Sequence, residues 1–188
     1  MIKIKKRSVR EYALYSSVIS LGIILDQLTK WLAVKFIAPL EDRTVQIIPG
    51  IINFSYTENG GAAFGSFKDA RWIFMVSSTV MILALGAYLY LGLTDSRLQQ
   101  IAIALVLSGG LGNMIDRSGL GLGHLKYHVV DFIEFAFVDF AIFNVADSLV
   151  CIGAALLFVA LVRQLIEEER AKKLAKESDS SDDEAKGE

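Results

Sequence analysis

Two aspartates, Asp131 and Asp147, stand in strongly apolar stretches of the 188-residue chain. A carboxylate at or near hydrocarbon costs several kcal/mol, so it is rare there and usually marks a function. Neither aspartate has a basic neighbour at helical spacing that could neutralise it. If the two acids meet near one membrane surface, they can share a proton and act on a water molecule. The alternative is a structural role, with buried hydrogen bonds to Lys30 or Arg117.

Other polar residues beside the apolar stretches have both structural and functional interpretations. Asp26 and Lys30 are four residues apart on one helix face, which predicts an ion pair that is either structural or orders the outer loop. Asp116 is adjacent to Arg117 in GGLGNMIDR, and adjacent residues do not face each other on a helix. These two residues form either a polar clamp between packed helices or part of a site. Asn113 is then a bridging hydrogen-bonding group or a substrate contact.

A metal site is the rival interpretation of the acids around position 131. His124 and His128 could bind a metal together with Asp131, but H-x-x-x-H-x-x-D is a loose spacing for metal ligands. We therefore expect no metal and no cofactor. Glu134 and Asp139 have the character of interfacial acids that face water.

Small residues in two stretches allow close approach of the backbone. In NGGAAF, at 59–64, glycines and alanines would admit a neighbouring chain, and Asn59 could supply an amide. Because an isolated Asn-Gly pair is more often a turn, this stretch alone is a weak indication of function. Gly109, Gly110 and Gly112 permit close packing of one helix on another, as in other membrane bundles.

The composition is that of a membrane protein. Mean hydropathy is +0.46, 53% of the residues are hydrophobic, and only two prolines interrupt the chain. A helix needs roughly 20 mainly apolar residues to cross a bilayer. Four stretches meet this requirement, at about 13–33, 71–93, 98–115 and 140–162. The expected fold class is therefore membrane α-helical, with four transmembrane helices.

Charge is segregated along the chain. Basic residues are concentrated before the first apolar stretch and after the fourth, which predicts that both termini are cytoplasmic and that 34–70 and 116–139 lie outside. In the first outer segment, β-branched and aromatic residues precede a glycine-rich turn, which predicts a small extracytoplasmic β-rich segment at the membrane surface. We expect one integral-membrane domain over 1–166, followed by a charged, largely disordered tail over 167–188.

Five sequence blocks, in this order, carry a resemblance to a known family. They are DQLTK at 26–30, NGGAAF at 59–64, GGLGNMIDR at 109–117, VVDFI at 129–133 and FNVAD at 143–147. In these blocks the chain resembles the lipoprotein signal peptidase (signal peptidase II) family, the membrane aspartyl peptidases of bacterial lipoprotein maturation. The four-helix architecture of that family, with cytoplasmic termini, agrees with the expected topology. One departure is the link RSGLGLGHLKYHVVD, which is longer than the compact spacing of the family.

The resemblance implies roles for individual residues. It makes Asp131 and Asp147 the catalytic dyad, in which either member can hold the shared proton while the other acts as base. The residues that it implies for substrate binding or site support are Asp26, Lys30, Asn59, Gly61, Ala63, Gly110, Asn113, Asp116, Arg117, Asn144 and Ala146.

The resemblance also implies an activity and a location. The expected reaction removes the signal peptide from diacylglyceryl-modified prolipoproteins by cleavage just before the lipidated cysteine. It would occur in the bacterial cytoplasmic (inner) membrane, near the outer face, with membrane lipids as neighbours and without nucleic acid or an obligatory protein partner. Two alternatives remain, a small proton-coupled carrier that uses Asp147 as its relay and a metal-dependent enzyme acting on lipid head groups.

Overall fold

The structure is a computed structural model, and it describes residues 7–60, 71–122 and 127–186. These residues form helices and a small sheet. In chain order the elements are α1 (Val9–Phe36), β1 (Thr44–Ile48), β2 (Ile52–Asn59), α2 (Arg71–Tyr90), α3 (Arg97–Arg117), β3 (Val129–Phe135) and α4 (Val145–Lys186).

Three of the described helices are long and apolar enough to cross a membrane. They are α1, α3 and the Val145–Leu174 part of α4. The helix α2 is also apolar, over the shorter stretch Met75–Tyr90. The predicted membrane α-helical class is therefore confirmed, with three candidate spans by length and composition.

The helix α3 packs against the other three described helices, and glycines make this packing close. A Cβ added at Gly109 would lie 2.2 Å from the carbonyl oxygen of Ala146. One added at Gly112 would lie 2.6 Å from Oδ2 of Asp26. Real Cβ atoms do not approach so closely, so these positions require glycine. The close helix packing predicted from GGLG is confirmed at both.

The three strands form one antiparallel sheet in the order β1-β2-β3, which confirms the predicted β-rich segment. Asn59 is opposite Val129 and Thr57 is opposite Asp131. One face of the sheet packs on the C-terminal end of α1, in a buried apolar cluster. Its members are Ala33, Ile37, Tyr56, Val130 and Phe132.

The chain between β3 and α4 folds back along β3. The amide of Phe143 donates to the carbonyl of Ile133 at 3.0 Å, and the amide of Ile133 donates to the carbonyl of Phe143 at 2.8 Å. The first turn of α4 is thereby held beside the strand that carries Asp131.

The helix α4 continues through the charged end of the chain to Lys186, whereas the composition predicts a disordered tail. Alanine, glutamate, lysine and arginine dominate residues 167–176, and all four favour helix. Glu168 and Glu169 also precede Lys172 and Lys173 by four residues, a spacing that supports a helix.

Candidate active site

Asp147 is fixed in the first turn of α4 by a reciprocal pair of hydrogen bonds. The Asp147 amide donates to Oδ1 of Asn144 at 3.0 Å, and the Asn144 amide donates to Oδ2 of Asp147 at 3.2 Å. This is a capping box, in which the residue before the helix and the third residue within it satisfy each other's backbone donors.

Asp131 lies in the middle of β3 and is 2% exposed. Its carboxylate accepts from Nδ2 of Asn59 at 2.9 Å and from Nδ2 of Asn144 at 2.6 Å. Burial raises the pKa of Asp131 to about 6, and the nearby charge of Asp147 adds to the rise. The two aspartates therefore interact electrostatically and share Asn144 as a hydrogen-bonding partner.

Asn113 links the pair to a second polar group. Its Nδ2 donates to Oδ1 of Asp147 at 2.8 Å. Its Oδ1 accepts from Nδ2 of Asn144 at 3.1 Å and from Nζ of Lys30 at 2.9 Å. Because two donors face the amide oxygen, the amide nitrogen must point to Asp147. Of the two interpretations of Asn113, the structure shows the bridging one.

A buried charge cluster lies behind Asn113. Lys30 is 1% exposed, and its Nζ lies 2.9 Å from Oδ2 of Asp26 and 2.7 Å from Oδ2 of Asp116. The ion pair predicted from the Asp26 and Lys30 spacing is therefore present. Lys30 forms ion pairs with both of these acids and reaches the aspartate pair through Asn113. In the sequence analysis, Lys30 was a possible structural partner of Asp131 or Asp147. In the structure its ion-pair partners are Asp26 and Asp116.

Asp26 also supports the first turn of α4. Its Oδ1 accepts from the backbone amide of Ala146 at 3.0 Å, and Ala146 is fully buried. The acid on α1 therefore satisfies one of the free amides at the start of α4. Ala146 contributes its backbone, and its methyl group fits the space left by Gly112.

Arg117 ends α3 close to the acids. Its Nη1 donates to the carbonyl of Asn113 at 3.5 Å, and the charges of Asp147, Asp131 and Asp116 act on its guanidinium. Its neighbour Asp116 pairs with Lys30 on α1. The adjacent residues Asp116 and Arg117 therefore have different partners.

Some residues named from the sequence lie elsewhere. Gly110 faces α2, where an added Cβ would lie 3.3 Å from Ile82, so its place is in helix packing. Gly61, Ala63 and His124 lie outside the described residues. Within the described ranges, no group of three or more His, Cys, Asp or Glu residues could hold a metal ion; His128 lies 3.4 Å from Glu58.

Two further acids differ from each other in exposure. Asp139 is exposed, as predicted. Glu134 is half-buried, and it accepts hydrogen bonds from Asn53 at 3.1 Å and from Ser55. The alternation of the strand turns Glu134 towards polar partners on β2, which the sequence interpretation of a water-facing acid did not include.

Gln27 was missed by the sequence interpretation. It is 6% exposed and donates to Oδ1 of Asp116 at 2.9 Å. The available signal was a second polar residue next to Asp26 inside an apolar helix. A polar residue inside an apolar helix needs hydrogen-bonding partners within the protein, so Gln27 was a candidate member of a polar site.

Comparisons with known proteins show the family of this chain. The profile of the family described as signal peptidase (SPase) II matches residues 18–163. A protein named lipoprotein signal peptidase from Clostridium tetani is 43% identical, over 78% of this chain and 91% of its own length. One of the same name from Streptococcus pyogenes is 41% identical, over 76% of this chain and 88% of its own length.

A solved structure described as a bacterial membrane enzyme is also similar. It matches with a TM-score of 0.71 at 30% identity, and the match covers 87% of this chain and 94% of that one. The likeness therefore extends from the sequence blocks to the whole arrangement of helices and sheet. These comparisons give no support to a proton-coupled carrier. The chain belongs to the signal peptidase II family, as the five sequence blocks predicted.

Proposed function

We propose that this protein is a lipoprotein signal peptidase of the aspartic type, with Asp131 and Asp147 as its catalytic residues. It removes the signal peptide from diacylglyceryl-modified prolipoproteins and cleaves just before the lipidated cysteine. The observation that carries this proposal is that Asn144 donates to both carboxylates, through its side chain to Asp131 and through its backbone amide to Asp147. A pair of carboxyl groups that share a polar site is suited to acid–base hydrolysis.

The two acids have different surroundings, and this suggests different roles. Burial and the charge of Asp147 favour the protonated form of Asp131. The Asp147 carboxyl group accepts hydrogen bonds from Asn113 and from the amide of Asn144. In this proposal Asp147 takes a proton from a water molecule, which attacks the scissile carbonyl. Asp131 hydrogen-bonds the carbonyl oxygen, and a proton then passes to the leaving amine.

The remaining polar residues position this pair. Asn59, Asn113 and Asn144 orient the carboxylates by direct hydrogen bonds. Five further residues support these asparagines and the first turn of α4. They are Asp26, Lys30, Asp116, Arg117 and Ala146. Gly61, Ala63 and Gly110 are proposed as substrate-site or packing residues on the resemblance of their sequence blocks.

The proposed topology has four spans, with α2 as the fourth membrane helix, in one integral-membrane domain over residues 1–166. The pair lies where α1 and α3 end and α4 begins, so it belongs to one end of the helix bundle. Basic residues flank the opposite end, and the positive-inside rule places that end in the cytoplasm. The active site is then near the outer face of the bacterial cytoplasmic membrane, and both termini, including the charged tail, are cytoplasmic.

A cleavage assay tests the proposal. The substrate is a diacylglyceryl-modified prolipoprotein in proteoliposomes, and the variants are Asp131→Asn and Asp147→Asn. We expect each to lose roughly 10²–10⁴-fold or more in rate, because each removes one acid–base group. The matched control is Asp139→Asn, at an exposed aspartate in the same region, and it should retain wild-type activity. Full activity in either variant would contradict the assignment of Asp131 and Asp147 as the catalytic residues.

Two further measurements test the finer parts of the proposal. The unlipidated precursor should not be cleaved if the diacylglyceryl group is part of the recognised substrate. Reporter fusions at the two ends should show cytoplasmic activity, whereas a reporter inserted in the 37–43 connection between α1 and β1 should show the opposite. A reversed pattern would contradict the proposed orientation.

A further inference from the structure

The Gln27 side chain makes hydrogen bonds in two directions from α1. Its Nε2 lies 2.9 Å from Oδ1 of Asp116, 3.2 Å from Oδ2 of Asp26 and 3.2 Å from the carbonyl oxygen of Gly112. On its other side, Oε1 accepts from the backbone amide of Leu122 at 3.1 Å. The amide therefore joins the buried charge cluster to the connection that follows α3.

The orientation of this amide is decided by its surroundings. The NH₂ group faces three oxygens, and the carbonyl oxygen faces an N–H donor, so the reverse orientation would place like groups together. An apolar side chain would make none of these hydrogen bonds. An ionised carboxylate could accept from Leu122 but would meet the oxygens of Asp26 and Asp116.

Both sides of Gln27 lead to the aspartate pair. Asp26 bonds the amide of Ala146, the residue before Asp147. Leu122 belongs to the connection between α3 and β3, the strand that carries Asp131. At Gly121 this connection passes so close to Asp116 that an added Cβ would lie 2.3 Å from its Oδ1. The connection thus lies directly on the charge cluster at the position that Gln27 bonds.

The length of the connection gives this contact its importance. The segment from Ser118 to His128 is glycine-containing and joins the end of α3 to β3. A longer flexible connection has more conformations to lose when its ends are fixed. The hydrogen bond at Leu122 fixes the beginning of this connection beside the charge cluster.

We propose that Gln27 is a positioning residue for peptide cleavage, which ties the α3–β3 connection at Leu122 to the charge cluster behind Asp147. The inference rests on the proposed function, because the reaction is the one assigned to Asp131 and Asp147. Gln27 acts through Asp26, Asp116 and the Leu122 backbone.

The first test compares Gln27→Met with Thr29→Val in the full-length protein in proteoliposomes. Thr29 lies on the same helix, and its hydroxyl bonds the backbone of α1 itself, so its loss leaves the cluster intact. We expect Gln27→Met to lower kcat by about 10²-fold with little change in KM, since misplacement of catalytic groups by about 1 Å has such an effect. Thr29→Val should resemble the wild type.

The second test uses Gln27→Glu and the pH dependence of its activity relative to the wild type. The introduced carboxyl faces Asp26 and Asp116, with Lys30 as the one cation described in the cluster. When protonated, it can donate to Asp116 and accept from Leu122, as the amide does. We expect relative activity to rise as pH falls. A role in packing alone would give the same relative activity at every pH.

The third test does not depend on catalysis. Hydrogen exchange at the Leu122 amide should be about fivefold faster or more in Gln27→Met, because its hydrogen bond is lost, and unchanged in Thr29→Val. Unchanged exchange, or wild-type kcat in Gln27→Met, overturns the inference while the peptidase assignment stands. If the wild-type protein does not cleave the lipidated precursor, the proposed function is contradicted instead. The exchange rate at Leu122 then still tests whether Gln27 bonds the Leu122 amide.

Discussion

Asn144 donates a 2.6 Å hydrogen bond to Asp131, although Asn144 precedes α4 and Asp131 lies within β3. The same side chain caps α4 by accepting from the Asp147 amide. One residue therefore sets the position of a strand acid and of a helix acid at once. The backbone pairing of Ile133 with Phe143 holds Asn144 at the distance where it can do so.

Replacement of Asn144 should affect both stability and activity. In Asn144→Ala, loss of the cap on the Asp147 amide should cost about 1 kcal/mol of stability. Release of the Asp131 carboxylate should lower the cleavage rate by about 10²-fold. Thermal unfolding in detergent and the prolipoprotein assay measure the two effects. The control is Ser148→Ala, which removes a hydroxyl that bonds the Asn144 carbonyl and leaves the acids untouched. Wild-type activity in Asn144→Ala would contradict the bridging role.

Lys30 is the cation between two buried acids, so its removal should be severe. Lys30→Met leaves Asp26 and Asp116 without their shared positive charge, and breaking such a buried pair costs about 3–5 kcal/mol. Adding Asp26→Asn and Asp116→Asn to the same chain should recover part of the thermal stability, because the uncompensated charges are gone. If Lys30→Met unfolds at the wild-type temperature, the cluster does not contribute as described.

The titration of Asp131 should depend on Asp147. In the wild type we expect the Asp131 pKa at about 6, and in Asp147→Asn we expect it to move down towards the ordinary carboxyl value, since one of the two causes of the rise is removed. Carbon NMR of labelled aspartate side chains follows this titration.

Linkage gives this pKa a second consequence. Because the folded protein holds the Asp131 proton more tightly than the unfolded chain, the stabilising contribution is complete below pH 4 or so. It is lost as pH rises through about 6.

For the titration experiment, an identical Asp131 titration curve in the wild type and in Asp147→Asn would show that the two acids do not interact.

Two glycines provide a matched test of helix packing. Gly112→Ala places a Cβ 2.6 Å from Oδ2 of Asp26, and the resulting overpacking should cost about 1–3 kcal/mol and reduce activity by shifting Asp26. Gly86→Ala meets nothing within 4 Å and should stabilise α2 by about 0.5–1 kcal/mol. Thermal unfolding of the two variants side by side measures the difference. Equal effects would contradict the close contact at Gly112.

The sequence by itself determined the class of the protein and its principal acids. Apolar stretches of membrane length predict helices because the bilayer leaves backbone groups no other partners. The spacing of Asp26 and Lys30 predicted their ion pair, because residues four apart share a helix face. Asp131 and Asp147 stood out as candidates because an acid in apolar sequence is costly to bury, and the resemblance of the ordered blocks implied their roles and identified the family.

Only the tertiary structure decided which polar groups meet. Lys30 pairs with Asp116 from another helix, Asn113 bridges Lys30 to Asp147, and Gln27 bonds Leu122 far along the chain. Such contacts have no local signature, because they depend on how closely α1, α3 and α4 pack around Gly109 and Gly112. Sequence spacing describes one element at a time, whereas this site is built where three helix ends and a strand converge.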